Sequence, residues 1–397
     1  MLAVDRAAKT GFPATMPMHF TPGEYAARQA KARAAVQAAG FEAILMFAPE
    51  SHYWLTGYDT FGFAMFQCMV LTARGDLHLL TRTPDLRQAQ LTSTLKDGEI
   101  HIWQDVEGVD PAENLACLLA ELGVRGPIGY ESDTVGLTDK TGRALHRAIP
   151  GLIEVSDLIR ALRRVKSPAE IEMHRRAAAL SDDALDQAIA LARPGAFEGD
   201  ILAAMQGAVF KGGGDYAGNE FILGSGPGAL LCRYYSGRRH LDAQDQLTLE
   251  WSGAYARYHA AMMRTVLVGR ASDHHRKMHA AAVEALEACE AAIRPGQPMG
   301  AVYEAHARVF DAHGLGHARL KACGYAMGAV YNPIWVDFPM FYEGNPLIIQ
   351  EGQVFFLHMI LMDSDAGEAM TLGHSVLVKA DGVERLSRHG LGLILNE

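Results

Sequence analysis

The chain has 397 residues, 49% of them hydrophobic and 21% charged, with a formal net charge of −10. That length calls for two or three cores rather than one, and the composition is that of an ordinary globular protein. Excess negative charge repels nucleic acid and anionic membrane surfaces, and no apolar run approaches the roughly 20 residues of a membrane span, so neither is expected as a partner.

The N-terminal MLAVDRAAKTGFPATMPM mixes charges with a Gly-Phe-Pro break and lacks an apolar core. It does not read as an export signal, and a cytoplasmic protein is the expectation. Residues 25–40, YAARQAKARAAVQAAG, predict a helix ending at Gly40; 41–48, FEAILMFA, predict a buried strand; 66–81 predict a hairpin turning at Arg74-Gly75-Asp76. This alternation predicts an α/β domain over residues 1–160. Ser167-Pro168 opens a new helix with proline in its first turn, so the boundary falls between Arg160 and Ser167, and a second domain occupies 161–397. Cys68, Cys117, Cys232, Cys289 and Cys323 are odd in number and form no CxxC pair, which predicts reduced thiols rather than a disulfide framework.

The second domain echoes itself. A helix over 169–193 ends in Arg193-Pro194-Gly195 and another over 275–294 ends in Arg294-Pro295-Gly296, each followed by a second amphipathic helix and strand-rich sequence. Two such breaks in matching contexts predict duplicated halves around a pseudo-twofold axis, walling one pocket between them.

Several motifs are set aside. Gly224-Ser225-Gly226-Pro227-Gly228 is glycine-rich, but its proline and the lack of a following helix argue against a nucleotide cradle. His275 and His279 have zinc-like spacing with no acid between them and read as a solvated helix face; His306, His313 and His317 read as surface histidines.

Five segments carry a resemblance in order and spacing: LRRVKSPAEIEMHRRA, DQLTLEWSGAYARYHAAMMRTVLVG, CGYAMG, EGQVFFLHM and GHSVLVKADGVERLS. Together they resemble the creatinase, prolidase and methionine aminopeptidase superfamily. The resemblance implies a smaller creatinase-like N-terminal α/β domain followed by a C-terminal α+β domain of the pita-bread fold, built of pseudo-twofold halves. It also implies a dimer.

In the metallopeptidase branch two aspartates eleven positions apart, a histidine and two glutamates hold two divalent metals. Those positions carry Glu250, Ala261, Tyr325, His358 and Gly373 in this sequence. Two ligands cannot build a bimetallic clamp, so no metal cofactor is expected. A carboxylate, an imidazole and a phenol form instead an organic acid, base and nucleophile set. On this reading Glu250, His358 and Tyr325 are the catalytic candidates.

Strand parity puts His259, Ala261 and Met263 on one face, with Ala261 expected to face the cavity beside Glu250 and His259 to flank it. Arg233 stands where relatives place a substrate-contacting histidine and would pair with a substrate carboxylate. Tyr53 and Trp54 match the segment that in dimeric relatives reaches the neighbour's site; packing in their own core weighs equally.

The stretches TLEWSGAYARYHAAMMRT, GSGPGALLCRYYSGRR and YWLTGYDTFGF resemble in particular the ectoine hydrolases. That resemblance implies opening of a zwitterionic cyclic amidine to acetylated 2,4-diaminobutyrate, with Glu250 as nucleophile or general base and a deacetylase acting on the product. An amidinohydrolase for another guanidino or amidine compound, and a non-catalytic binding protein of the same fold, remain the alternatives.

Overall fold

The computed structural model describes residues 17–233 and 237–397. Most of the segment read as lacking an export signal, and three residues of LLCRYYSGRR, lie outside the described residues. The chain divides into two compact units, Met1–Arg163 and Arg164–Glu397.

The first unit contains β1 (Ala43–Met46), β2 (Cys68–Thr72), β3 (Leu77–Arg82), β4 (Ile100–Trp103), β5 (Ile128–Tyr130) and β6 (Ile153–Glu154), in the sheet order β4-β3-β2-β1-β5-β6. Its helices are α1 (Pro22–Ala38), α2 (Pro49–Thr56), α3 (Leu86–Thr92), α4 (Pro111–Glu121), α5 (Asp139–Ala148) and α6 (Asp157–Leu162). The predicted elements are present. α1 gives way to Gly40 at φ 75°, every residue of β1 is buried, and β2 and β3 pair antiparallel around Gly75 at φ 103°. Glycine suits both positions because a Cβ is disfavoured at positive φ.

The second unit opens with α7 (Pro168–Leu191), capped by Ser167 and Glu170 in a reciprocal capping box, then α8 (Glu198–Lys211). β7 (Ile222–Ser225), β8 (Asp245–Tyr255) and β9 (Tyr258–Val268) complete its first half. The second half repeats the plan with α9 (Asp273–Ala292), α10 (Gly300–Ala312), β10 (Ala322–Ala326), β11 (Asp337–Tyr342), β12 (Val354–Asp363) and β13 (Glu368–Lys379), followed by β14 (Gly382–Arg385) and β15 (Ile394–Asn396). Gly195 and Gly296 take φ of 80° and 88°, so both Pro-Gly breaks turn the chain the same way.

Among the described residues the strands form one nine-stranded sheet, β11-β10-β12-β13-β9-β8-β7, with β14 on β13 and β15 on β9. α7 packs on β8 and β9, while α9 packs on β12 and β13. Trp251 fixes the first of these contacts by burying its indole against α7 and donating from Nε1 to the Ser181 carbonyl at 2.9 Å. With Leu247, Leu249 and Trp251 committed to the helices, Thr248, Glu250 and Ser252 take the opposite face. No helix among the described residues is long and apolar enough to cross a membrane.

Candidate active site

The register of four adjacent strands places one residue from each in a row. Glu250 on β8 pairs with Met263 on β9, Met263 with Gly373 on β13, and Gly373 with His358 on β12. Strand spacing puts the outer two Cα atoms roughly 14 Å apart, so their side chains approach from opposite sides with space between them. That space is a cavity of about 160 Å³ lined by Glu250, His358, Tyr325, Arg233, Trp335 and Asn219, and otherwise by a largely apolar wall that includes Cys232, Met263 and Met340.

Gly373 keeps the row open. A Cβ there would lie 2.4 Å from the Leu357 carbonyl oxygen and 3.1 Å from the His358 Cα, so this backbone excludes any side chain at that position.

The polar groups hold unusual protonation states. Burial pushes the Glu250 carboxyl up to about 7, against the opposing charge of Arg233 and a hydrogen bond from Tyr325. Burial pushes His358 down to about 4, with Arg233 adding in the same direction, so its imidazole is neutral at pH 7. Its Nδ1 is buried and finds no hydrogen-bond partner among the described residues. Burial, then the nearby Glu250 charge, raise the Tyr325 phenol well above its ordinary value, and it remains a donor. Trp335 Nε1 donates to the Tyr325 hydroxyl at 2.8 Å, and that hydroxyl donates to Glu250 Oε1 through a long 3.4 Å contact. A relay of donors thus ends on the Glu250 carboxylate.

Four of the residues singled out in the sequence, Glu250, Tyr325, His358 and Arg233, meet at this cavity. The others do not. His259 is fully buried outside it, with Nδ1–H donating to the Arg257 carbonyl at 2.8 Å and Nε2 accepting from the Gly218 amide at 2.8 Å; both nitrogens are committed to holding loops. Ala261 pairs with Ser252 rather than Glu250 and is packed into the core. The turn explains the error: Ala256 and Arg257 form a two-residue hairpin loop with φ of 50° and 64°, which sets Glu250 against Met263, thirteen residues on.

Tyr53 and Trp54 are buried within the first unit, so neither ring is itself exposed. The Tyr53 hydroxyl meets His19 Nδ1 at 2.7 Å, and the Trp54 ring lies 5.6 Å from the Arg28 guanidinium carbon. The aromatic that stands out in YWLTGYDTFGF is Phe61, 79% exposed.

Two histidine readings also change. His275 is buried and bonded to Gln246 at 3.0 Å, and His306 is fully buried between Tyr303 and Phe310. Trp335, Asn219, Cys232 and Met263 were not foreseen at the cavity. Met263 follows from counting the hairpin out from a two-residue turn. Trp335 sits in a connection between β10 and β11 that has no periodicity to read.

Residues 172–380 match metallopeptidase family M24, and residues 28–165 match the creatinase/prolidase N-terminal domain. The chain belongs to family M24, with the two-domain creatinase-like and pita-bread architecture. Among its relatives, an uncharacterized hydrolase/peptidase of Sinorhizobium fredii, y4tM, is 26% identical over 96% of this chain and 99% of that protein. The ectoine hydrolase of Halomonas elongata is 27% identical over 93% of this chain and 96% of that protein. Among solved structures, dipeptidase PepE of Mycobacterium ulcerans superposes with a TM-score of 0.83 at 24% identity, covering 95% of this chain and 99% of that one.

The donors present do not suit the family's two-metal centre. Of the five ligand positions only Glu250 and His358 offer a metal donor of the family's kind; the Tyr325 phenol is bound to Trp335, Ala261 is apolar, and Gly373 has no room for a carboxylate. Among the described residues no group of three or more His, Cys, Asp or Glu side chains is arranged to hold a metal ion.

Proposed function

We propose that this family M24 hydrolase opens the ring of a zwitterionic cyclic amidine of the ectoine type, without a metal, to give an N-acetyl-2,4-diaminobutyrate. The observation that carries the reading is the row Glu250–Met263–Gly373–His358, in which a carboxylate and a neutral imidazole face one cavity across a glycine gap. The likeness to the ectoine hydrolase of Halomonas elongata supports the choice of substrate.

The amidinium carbon is electrophilic as bound and does not require a Lewis acid. Glu250 attacks it through a carboxylate oxygen, forming a C–O bond. The adduct then releases one ring nitrogen and leaves an acyl-like centre on Glu250 that water hydrolyses to the amide. His358, neutral at pH 7, acts as a relay: it gives its N–H proton to the departing nitrogen as its other ring nitrogen takes a proton from the water that attacks the acyl-like centre, while Tyr325 donates to the developing negative charge. Arg233 holds the substrate carboxylate, and the apolar wall takes the ring methylenes and methyl group. A homodimer and a deacetylase acting on the acetylated product belong to the same reading.

Replacing Glu250 by glutamine keeps the shape and removes the nucleophile. Turnover of ectoine, followed by proton NMR, is expected to fall by about a thousandfold or more. Wild-type turnover in that variant would end the scheme, and guanidino compounds would be the next substrates tried.

A further inference from the structure

Arg233 reaches the cavity from the loop that joins β7 to β8, and both stems of that loop converge on one side chain. Glu198, in the first turn of α8, is 1% exposed. Its Oε1 accepts from the Ser225 amide at 2.8 Å and the Ser225 hydroxyl at 2.6 Å, where the loop leaves β7. Its Oε2 accepts from the Arg239 amide at 2.8 Å, where the loop returns.

The Arg239 guanidinium closes the ring by donating to Ser225 Oγ at 2.8 Å, and it is itself held by Asp242 and Asp245. The backbone reinforces the junction, with the Glu198 amide donating to the Arg239 carbonyl at 2.9 Å. Packing at the junction is tight. A Cβ on Gly237 would lie 2.7 Å from Glu198 Cβ, and one on Gly226 would lie 3.0 Å from the Arg239 guanidinium carbon.

A fully buried carboxylate that receives three hydrogen bonds from two ends of one loop is a clamp, because each end loses its partner when the other moves. The residues carried past the clamp are Cys232 and Arg233, both at the cavity, and the Arg233 charge acts on Glu250.

We infer that Glu198 is a positioning residue for the active site: by tying Ser225 to Arg239 it fixes where Arg233 stands relative to Glu250, and so selects substrates that carry a carboxylate. The selection of a carboxylate rests on the proposed function; the clamp does not.

Cys232 reports on Arg233 without any substrate. Its thiolate displaces iodide from neutral iodoacetamide or anionic iodoacetate, and an adjacent guanidinium favours the anion. The ratio of the two rates, read by peptide mass spectrometry and normalised to exposed Cys117, is compared in the wild type, Arg233→Gln, Glu198→Gln and Ser225→Ala. Arg233→Gln and Glu198→Gln are each expected to lower the ratio about threefold, the scale of one charge acting a few ångströms away in water. Ser225→Ala, which removes the hydroxyl's contacts to Glu198 and Arg239 and keeps the amide's, should fall between them and the wild type.

Wild-type ratios in Glu198→Gln and Ser225→Ala would overturn the clamp, as would an unchanged ratio in Arg233→Gln; if Glu198→Gln does not fold, Ser225→Ala decides. With ectoine as substrate, Glu198→Gln and Arg233→Gln should both raise KM about tenfold. Intact ectoine with the wild type would defeat the proposed function and leave the alkylation ratios to decide the clamp.

Discussion

Glu250 is held against its preference. Its folded carboxyl keeps its proton up to about 7, where an unconstrained one releases it near 4.5. Between those values folding takes up a proton, so the stabilising contribution is complete below pH 4.5 and is lost as pH rises through 7. Glu250→Gln should therefore melt higher than the wild type at pH 8, by on the order of 3 °C, with the difference vanishing at pH 4.5. Scanning calorimetry at the two pH values checks this, and a lower melting temperature at pH 8 would mean that Glu250 is paired rather than strained. The same protonation makes a nucleophilic Glu250 more active as pH rises through about 7.

Glu250, Tyr325 and His358 were legible in the sequence because they replace ligands at fixed motif positions. Trp335 was not, because it lies in a connection whose conformation depends on the sheet around it. His259 could not be told from a site residue by type. What decides it is that both of its nitrogens already have backbone partners.

At the scale of the elements, the four-strand row depends on register, and register depends on the turn. The β8–β9 hairpin turns through Ala256 and Arg257, both at positive φ, in place of the Asn-Gly or Asp-Gly that would announce such a turn. The strands themselves were readable from alternation, but the pairing partner of Glu250 was not, and Ala261 was misplaced by two residues for that reason.

Gly373 is where an element and the site meet. Gly373→Ala should destabilise the protein by about 1–3 kcal/mol, since the added methyl meets backbone rather than a movable side chain. Chemical denaturation measures it. An alanine variant of wild-type stability would show that β12 and β13 can part there, and that glycine is not what keeps the gap open.

The molecule as a whole is two units with separate cores. Residues 164–397 hold two large buried clusters of their own, one around Trp251 and Phe356 and one around Phe310 and Leu357. This part produced alone should unfold cooperatively in calorimetry, and a broad transition without a heat peak would contradict that independence. The duplicated plan of this unit was visible in the two Pro-Gly breaks.

On the proposed function, a fold that elsewhere holds two metals carries an organic site here. The most direct test is proton NMR of ectoine incubated with chelator-treated protein of verified metal content. The expected result is ring opening to an acetylated diaminobutyrate at a rate that added divalent metal does not raise. An intact ring under those conditions, or turnover that appears only when metal is restored, would contradict it.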